Sequence, residues 1–244
     1  EFKKIIQKNK LAAVIMEVSR LKETKKSFLK EIRKITKKKN ICLIYDECTS
    51  GFRETYGGLY KKYGVTPDIV VYGKSIANGY PLCAIVGKKN IMKNLEKSFV
   101  SSTFWTDRVG YAAAIKTLTI MKREKTWLKL KSKGLIIKDL WKKYAKKYNL
   151  DITIQGLDAL PTFIFNYDNH LELKTFLTQE FLKKNILTSN TIYLSAYHSN
   201  KVLKKYEKIL NVVFKKIGEF RKNKIKISSK LESPVCLGGL RSKR

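Results

Sequence analysis

Two side chains in this sequence have the types and positions for carbonyl–amine chemistry. Lys74 follows the short apolar run "IVVYG" (69–73), and Asp46 follows a second one, "ICLIY" (41–45). Runs of this kind read as buried strands. In open α/β sheets, ligands bind in the crevice outside the carboxyl ends of the strands, so both side chains can converge there. A lysine held against apolar surface is pushed toward its neutral, nucleophilic form and can condense with an aldehyde to a Schiff base. A carboxylate on the same rim can keep a heteroaromatic nitrogen protonated. An imine-forming lysine and a carboxylate facing the ring nitrogen are the two protein groups that pyridoxal phosphate chemistry requires. Asn78, Gly79 and Pro81 follow Lys74, and small residues there leave room for such a group.

The elements that must hold these groups are legible as a strand–helix–strand order. "LAAVIME" (11–17) reads as a buried parallel strand. "TKKSFLKEIRKITKKKN" places Phe28, Leu29, Ile32 and Ile35 on one helical face. The strand at 41–45 completes a βαβ unit, so the sheet is expected to be parallel there. A glycine-bearing loop follows, with a short helix around Leu59–Tyr63, then strands at 69–73 and 82–87. A long packed helix is expected from Asp107 to about Glu124, and another over 126–148. Near residue 150 the character changes. A strand at 159–166, an amphipathic helix at 172–185, a strand or paired extended segment at 186–195 and a strong amphipathic helix at 200–220 make a small α+β unit. The expected division is residues 1–130, the C-terminal part of a cofactor-binding large domain, 131–225, a small domain, and 226–244, a loose tail.

The formal net charge is +32, from 52 Lys and Arg against 20 Asp and Glu. Such an excess can mark a nucleic-acid or anionic membrane footprint. Here lysines are scattered from Lys3 to Lys243 with no nucleic-acid-binding signature, so solvated helix faces are the favoured reading and no specific nucleic acid is expected. No run is long enough to span a bilayer. Cys42, Cys48, Cys83 and Cys236 form no CxxC pair, which fits buried free thiols in a reducing cytoplasm. His170 and His198 have no ligand-like neighbours, so no metal site is expected.

"LIYDECTSGFR", "GVTPDIVVYGKSIANGYPLCAIVG" and "SSTFWTDRVG", in this order, resemble class III pyridoxal-phosphate-dependent aminotransferases, nearest the glutamate-1-semialdehyde aminomutase-like branch. The resemblance covers roughly residues 11–220. It implies a fold-type-I α/β architecture, with a partial large domain built on a mostly parallel sheet and a small α+β C-terminal domain. It implies amino transfer between an amino donor and an aldehyde or keto acceptor, or the internal version of that transfer, through a Schiff base on Lys74. By the same resemblance Asp46 pairs with the pyridine nitrogen, Cys48 packs on the ring face, and Thr103 reaches the cofactor phosphate of the neighbouring subunit in a homodimer with shared sites. Glu47 is expected near the site or as structural support, Arg53 in a structural ion pair, and Gly51, Gly73 and Gly79 at backbone-permissive positions. Val18 stands where the family has Pro after the Glu17-equivalent glutamate, and the segment from Glu17 to Phe28 is shortened. The family's N-terminal portion, with its phosphate cradle and stacking aromatic, is not found upstream of residue 11. The rival readings are a basic nucleic-acid-binding protein and a truncated, inactive relative of the family.

Overall fold

The computed structural model describes residues 2–238. The chain divides into two compact units, residues 1–129 and 130–244.

The first unit opens with helix α1 (Phe2–Lys8) and strand β1 (Ala13–Glu17). Helix α2 (Lys26–Lys38) then crosses to β2 (Cys42–Asp46), and the short α3 (Tyr60–Tyr63) precedes β3 (Ile69–Tyr72). Strand β4 (Ala84–Gly87) and the short α4 (Lys89–Met92) follow, and α5 (Arg108–Glu124) leads into α6 (Thr126–Lys147). The sheet order is β1-β2-β3-β4, with the first three strands parallel and β4 antiparallel to β3. Glu17 pairs with Asp46, and Asp46 with Val71, so the carboxyl ends of three parallel strands lie in register.

One face of the sheet is dry at its two central strands. Leu43, Tyr45, Val70 and Tyr72 point to it and are buried, as are Leu29 and Ile32 of α2. The other face is more open than continuous apolar runs suggest. Ile15 of β1 and Ile85 of β4 are 65% and 50% exposed. An edge strand with a single neighbour has less to cover it than a central strand. Two helical expectations shift in the same direction. Phe28 is half exposed although its neighbours Leu29 and Ile32 are buried. Helix α5, expected to be packed, buries only Gly110 and Ala114, and leaves Val109 and Ile115 largely exposed.

The amino ends of the strands are tied by one carboxylate. Asp68, just before β3, accepts the Leu43 N–H at 2.9 Å and pairs with Arg33 and Lys88, each at 2.7 Å. Its backbone bonds both neighbours as well, from its N–H to the Leu43 carbonyl and from the Lys88 N–H to its own carbonyl. Burial disfavours the charge on Asp68, but the Leu43 N–H, Lys88 and Arg33 outweigh it and hold the carboxyl at about 2. One side chain thus joins α2, β2, β3 and the residue that follows β4.

The second unit is built on the rest of α6, the antiparallel pair β5 (Ile152–Gln155) and β6 (Thr162–Phe165), and helices α7 (His170–Leu182) and α8 (Asn200–Lys222). Strand β5 is absent from the sequence reading. Four residues of alternation are too few to stand out, and Gly156 turns the chain immediately after them with φ +86°. The segment at 186–195 is extended and paired but not a strand. It bridges β6 at Thr162–Thr191, with Phe163 and Ile192 donating to Asn190 and Pro161 carbonyls. The core is aromatic: Trp141, Phe163, Phe165, Phe181 and Phe214 are all but fully buried. The Trp141 indole N–H donates to the Tyr206 hydroxyl at 2.7 Å, so burial of the ring leaves no donor orphaned. After residue 226, where the sequence shows no period and a loose tail was expected, a single 3-10 turn (Ile227–Lys230) buries Ile227. Gln179 of α7 then bonds the Lys230 carbonyl and the Glu232 N–H, and Thr175 accepts the Cys236 N–H.

Candidate active site

Strand β3 ends at Tyr72, and Gly73 is still extended and buried. Lys74 then starts a 3-10 turn (Lys74–Ile76) in a left-handed backbone conformation, φ +44°. A non-glycine residue there costs on the order of 1 kcal/mol, a strain found most often at functional positions. The turn also changes the setting expected of the lysine. Its side chain is exposed, not held against apolar surface, because the backbone leaves the strand one residue earlier. Its Nζ donates to Thr49 Oγ1 at 2.7 Å.

Thr49 lies in the loop that follows β2, and that loop is pinned at every step. The Glu47 N–H donates to the Val71 carbonyl at 2.9 Å, extending the β2–β3 ladder by one residue. Asp46 Oδ1 accepts the Cys48 N–H at 3.0 Å, an Asx-type turn that fixes the carboxylate at the strand end. Glu47, fully buried, faces away from solvent and accepts from Ser50 Oγ (2.6 Å), the Leu59 N–H (2.9 Å) and the Tyr60 N–H (2.9 Å). Burial pushes its carboxyl up, against the pull of these three donors. Its contacts are those of a brace for the 47–60 loop. Arg53 Nε donates to the Thr49 carbonyl at 2.6 Å, closing the loop on itself.

Gly73 is where a side chain would crowd the floor of the candidate site. A Cβ there would stand 3.3 Å from Cys48 Sγ and 3.3 Å from Cys83 Sγ. The two thiols therefore flank one glycine, one from each neighbouring strand end. Gly51 needs its hydrogen for a different reason, since a Cβ would meet the Glu47 carbonyl at 2.7 Å and the Tyr72 ring at 2.8 Å. Burial raises the Cys48 thiol, hydrogen bonding to Asp46 and the Asp46 charge add to it, and together they carry it to about 11 despite Lys74. Cys48 is thus a neutral, half-buried group within electrostatic reach of both Asp46 and Lys74.

The structure therefore gathers Asp46, Cys48 and Lys74, and adds Thr49 and Cys83, which the sequence reading did not single out. Cys83 was legible in principle: the Tyr72–Ala84 pairing puts Gly73 opposite it. Thr103 lies in an exposed turn (residues 103–106) ahead of α5, whose N-terminus Asp107 caps by accepting the Val109 N–H. Among the described residues no hydrogen bond joins Thr103 to Asp46, Cys48 or Lys74. Phe104 and Trp105, beside it, are 50% and 54% exposed and so lie outside the unit's own core.

A sequence profile of the aminotransferase class-III family matches residues 1–210. The chain belongs to that family. It is 31% identical over 240 residues to a glutamate-1-semialdehyde 2,1-aminomutase of Fusobacterium nucleatum, covering 89% of this chain and 55% of the relative. A 3-aminobutyryl-CoA aminotransferase of Cloacimonas acidaminovorans is 33% identical over 175 residues, 71% of this chain and 42% of the relative. The chain thus spans about half the length of the curated relatives it matches. Among solved structures, the FumI protein of Sphingopyxis sp. MTA144 superposes with TM-score 0.84 at 22% identity, over 91% of this chain and 56% of that one. An omega-transaminase from Sphaerobacter thermophilus gives 0.80 at 19% identity, over 87% and 54%. The fold is that of the fold-type-I transaminases.

Proposed function

We propose that this class III chain acts in pyridoxal-phosphate-dependent amino transfer between an amino donor and an aldehyde or keto acceptor. The observation that carries the proposal is the placement of Lys74 and Asp46 at the carboxyl ends of neighbouring parallel strands, with Gly73 leaving the space between two thiols open. Those residues fit the ring end of the cofactor. Lys74 would hold its aldehyde carbon, Asp46 its ring nitrogen, and Cys48 would pack against its face. Pyridoxal phosphate, when bound, supplies an electron sink for charge that develops at the substrate Cα. The residues of this chain do the rest. Asp46 would keep a proton on the ring nitrogen. Lys74 would hold the aldehyde and, once the substrate amine has displaced it, its free Nζ would take up a proton from the substrate and return it. The Glu47-braced loop would keep both at fixed points.

The internal transfer that an aminomutase performs uses the same groups. The relatives named glutamate-1-semialdehyde 2,1-aminomutase, 31% and 33% identical over 89% and 88% of this chain, favour that branch. A homodimer is part of the proposal. Thr103 would give its hydroxyl to the cofactor phosphate in the site of the partner copy, with the exposed Phe104 and Trp105 as anchors of the interface. We place the protein in the cytoplasm, on four free cysteines, which are not buried as the sequence suggested: Cys42, Cys48 and Cys236 are partly covered and Cys83 is exposed. No helix among the described residues is long and apolar enough to cross a membrane.

The charge does not favour the nucleic-acid alternative. Residues 1–129 hold 28 Lys and Arg against 11 Asp and Glu, and residues 130–244 hold 24 against 9, so the excess is spread evenly. The test is addition of pyridoxal phosphate to the full-length protein, followed by borohydride reduction and peptide mapping. The proposal expects one dominant adduct, on Lys74, and none at that peptide in Lys74→Ala. A labelling pattern spread evenly over the lysines would overturn it. For the dimer, Lys74→Ala mixed with Thr103→Val should regain activity through hybrids that keep one intact site, and no recovery after proven subunit exchange would remove the shared-site arrangement.

A further inference from the structure

We infer that Thr49 is a positioning residue for Lys74, presenting its hydroxyl as the fixed point on which the lysine amine is held. The inference rests on the reading of Lys74 as the imine-forming lysine. Neither the sequence pattern nor the family resemblance gave Thr49 a role. What assigns it is the geometry: Lys74 Nζ stands 2.7 Å from Thr49 Oγ1.

Three features make this contact more than an incidental surface bond. The first is the contrast in burial between its partners. Lys74 is exposed, and an exposed lysine normally distributes its four-carbon stem over many rotamers. Thr49 is only 6% exposed, so the mobile group is anchored to an immobile one. The second is the immobility of the anchor. Threonine is stiff at χ1. Its carbonyl is held by Arg53 Nε at 2.6 Å, and its neighbours Cys48 and Ser50 are tied to Asp46 and Glu47. The third is the chemistry of a hydroxyl, which accepts from an ammonium and donates to a neutral amine. A carboxylate in this place would hold only the charged form, and an amide would need to flip. A hydroxyl keeps hold of Nζ in either protonation state, as a lysine that gives up and regains a proton requires.

Arg53 enters the same chain of contacts, from its side chain to the Thr49 backbone and from the Thr49 side chain to Lys74. The role expected of Arg53, a structural one, is then exercised on the site through Thr49. Left-handed Lys74 supplies the matching constraint from the other side, because its backbone conformation directs the stem out of the strand toward the loop after β2.

The experiment compares the full-length wild type with Thr49→Val, which keeps the shape and removes the hydroxyl, and Thr49→Ser, which restores it. Two readouts are used. One is the rate at which pyridoxal phosphate and borohydride trap Lys74, resolved from the other lysines by peptide mass. The other needs no cofactor: the ¹⁵N-detected ammonium signal of Lys74, visible when a hydrogen bond slows its proton exchange. Thr49→Val should slow trapping at Lys74 by about tenfold, the scale of one net hydrogen bond holding the neutral amine in place. It should leave trapping elsewhere unchanged and erase the ammonium signal, and Thr49→Ser should restore both. Equal trapping in Thr49→Val and wild type, with Lys74 preferred in both and the signal retained, overturns the role of Thr49 alone. No preference for Lys74 in the wild type overturns the assignment of Lys74 and the positioning role with it. If Thr49→Val does not fold, Thr49→Ala against Thr49→Ser makes the same comparison, and equal trapping in that pair is again fatal to the inference.

Discussion

The two units divide their work differently. The second closes a continuous aromatic core around Trp141, Phe163 and Phe214, with ring pairs at 4.8 and 5.8 Å and the indole N–H satisfied. The first holds the lysine, the carboxylate and the strained backbone, yet leaves Ile15, Ile85, Phe99 and Ile115 half or more exposed. Close packing gives the second unit its stability, and hydrogen-bonded loops give the first unit its geometry. A residue therefore has to be judged by the unit it sits in. A buried side chain in the second unit is most often a packing element, whereas the buried carboxylates of the first hold its geometry, Asp68 at the amino ends of the strands and Glu47 in the loop beside the candidate site.

The largest effect that would sharpen this contrast is Trp141→Ala. It removes a fully buried indole and leaves the Tyr206 hydroxyl without its donor, at an expected cost of about 3–5 kcal/mol. Urea unfolding followed by circular dichroism checks it, and a cost below 1 kcal/mol would break the picture of a tightly packed second unit. Asp46→Ala comes next. It should leave the unfolding midpoint of the first unit nearly in place while lowering amino-transfer turnover on the order of 10²-fold, since in the role proposed for it the carboxylate would act on charge that develops in the transition state. Near-normal turnover would move the ring-nitrogen role to another group.

Asp68 gives a smaller effect and a signed pH dependence. Its folded value of about 2 lies below the ordinary 3.8 of an unfolded aspartate. The stabilisation is therefore present above pH 4 and is lost as pH falls from about 4 through about 2. The shift amounts to about 2 kcal/mol. Asp68→Asn should flatten the acid limb of the stability curve over that interval, and an unchanged limb would show that other carboxylates govern it. The smallest effect is expected on the open face. Ile85→Thr should change stability by no more than about 0.5 kcal/mol, since half of the side chain already meets water. A loss several times larger would mean that this face is covered in solution, and the contrast between the units would weaken.

Much of this was legible in the sequence, for physical reasons that differ by element. Strands β2 and β3 and helices α2 and α8 announce themselves by continuous apolar runs or a 3.6-residue period. Asp46 and Lys74 follow from where the two strands end. Burial on the open face did not follow, because an apolar run reports a preference for burial and says nothing of whether a neighbour is there to satisfy it. Ile15 and Ile115 show this. Strand β5 was too short to carry a period. Thr49 was hidden for another reason: its role depends on a contact across 25 residues, and the side chain alone reads as one more loop hydroxyl. The left-handed turn at Lys74 was equally silent, since lysine has no tendency toward positive φ that would mark it.

Asp68 and Lys74 stand just outside the two ends of the four-residue strand β3. The knot of Arg33, Asp68, Lys88 and the Leu43 N–H secures the frame at one end, and none of its members bonds to Lys74. Selection can therefore act on the two ends separately. Changes at the carboxyl ends that spare Lys74 and the contacts of Glu47 and Thr49 can alter which amine or carbonyl partner is accepted while the knot preserves the sheet. Descendants of such a chain would diverge in substrate well before they diverged in architecture.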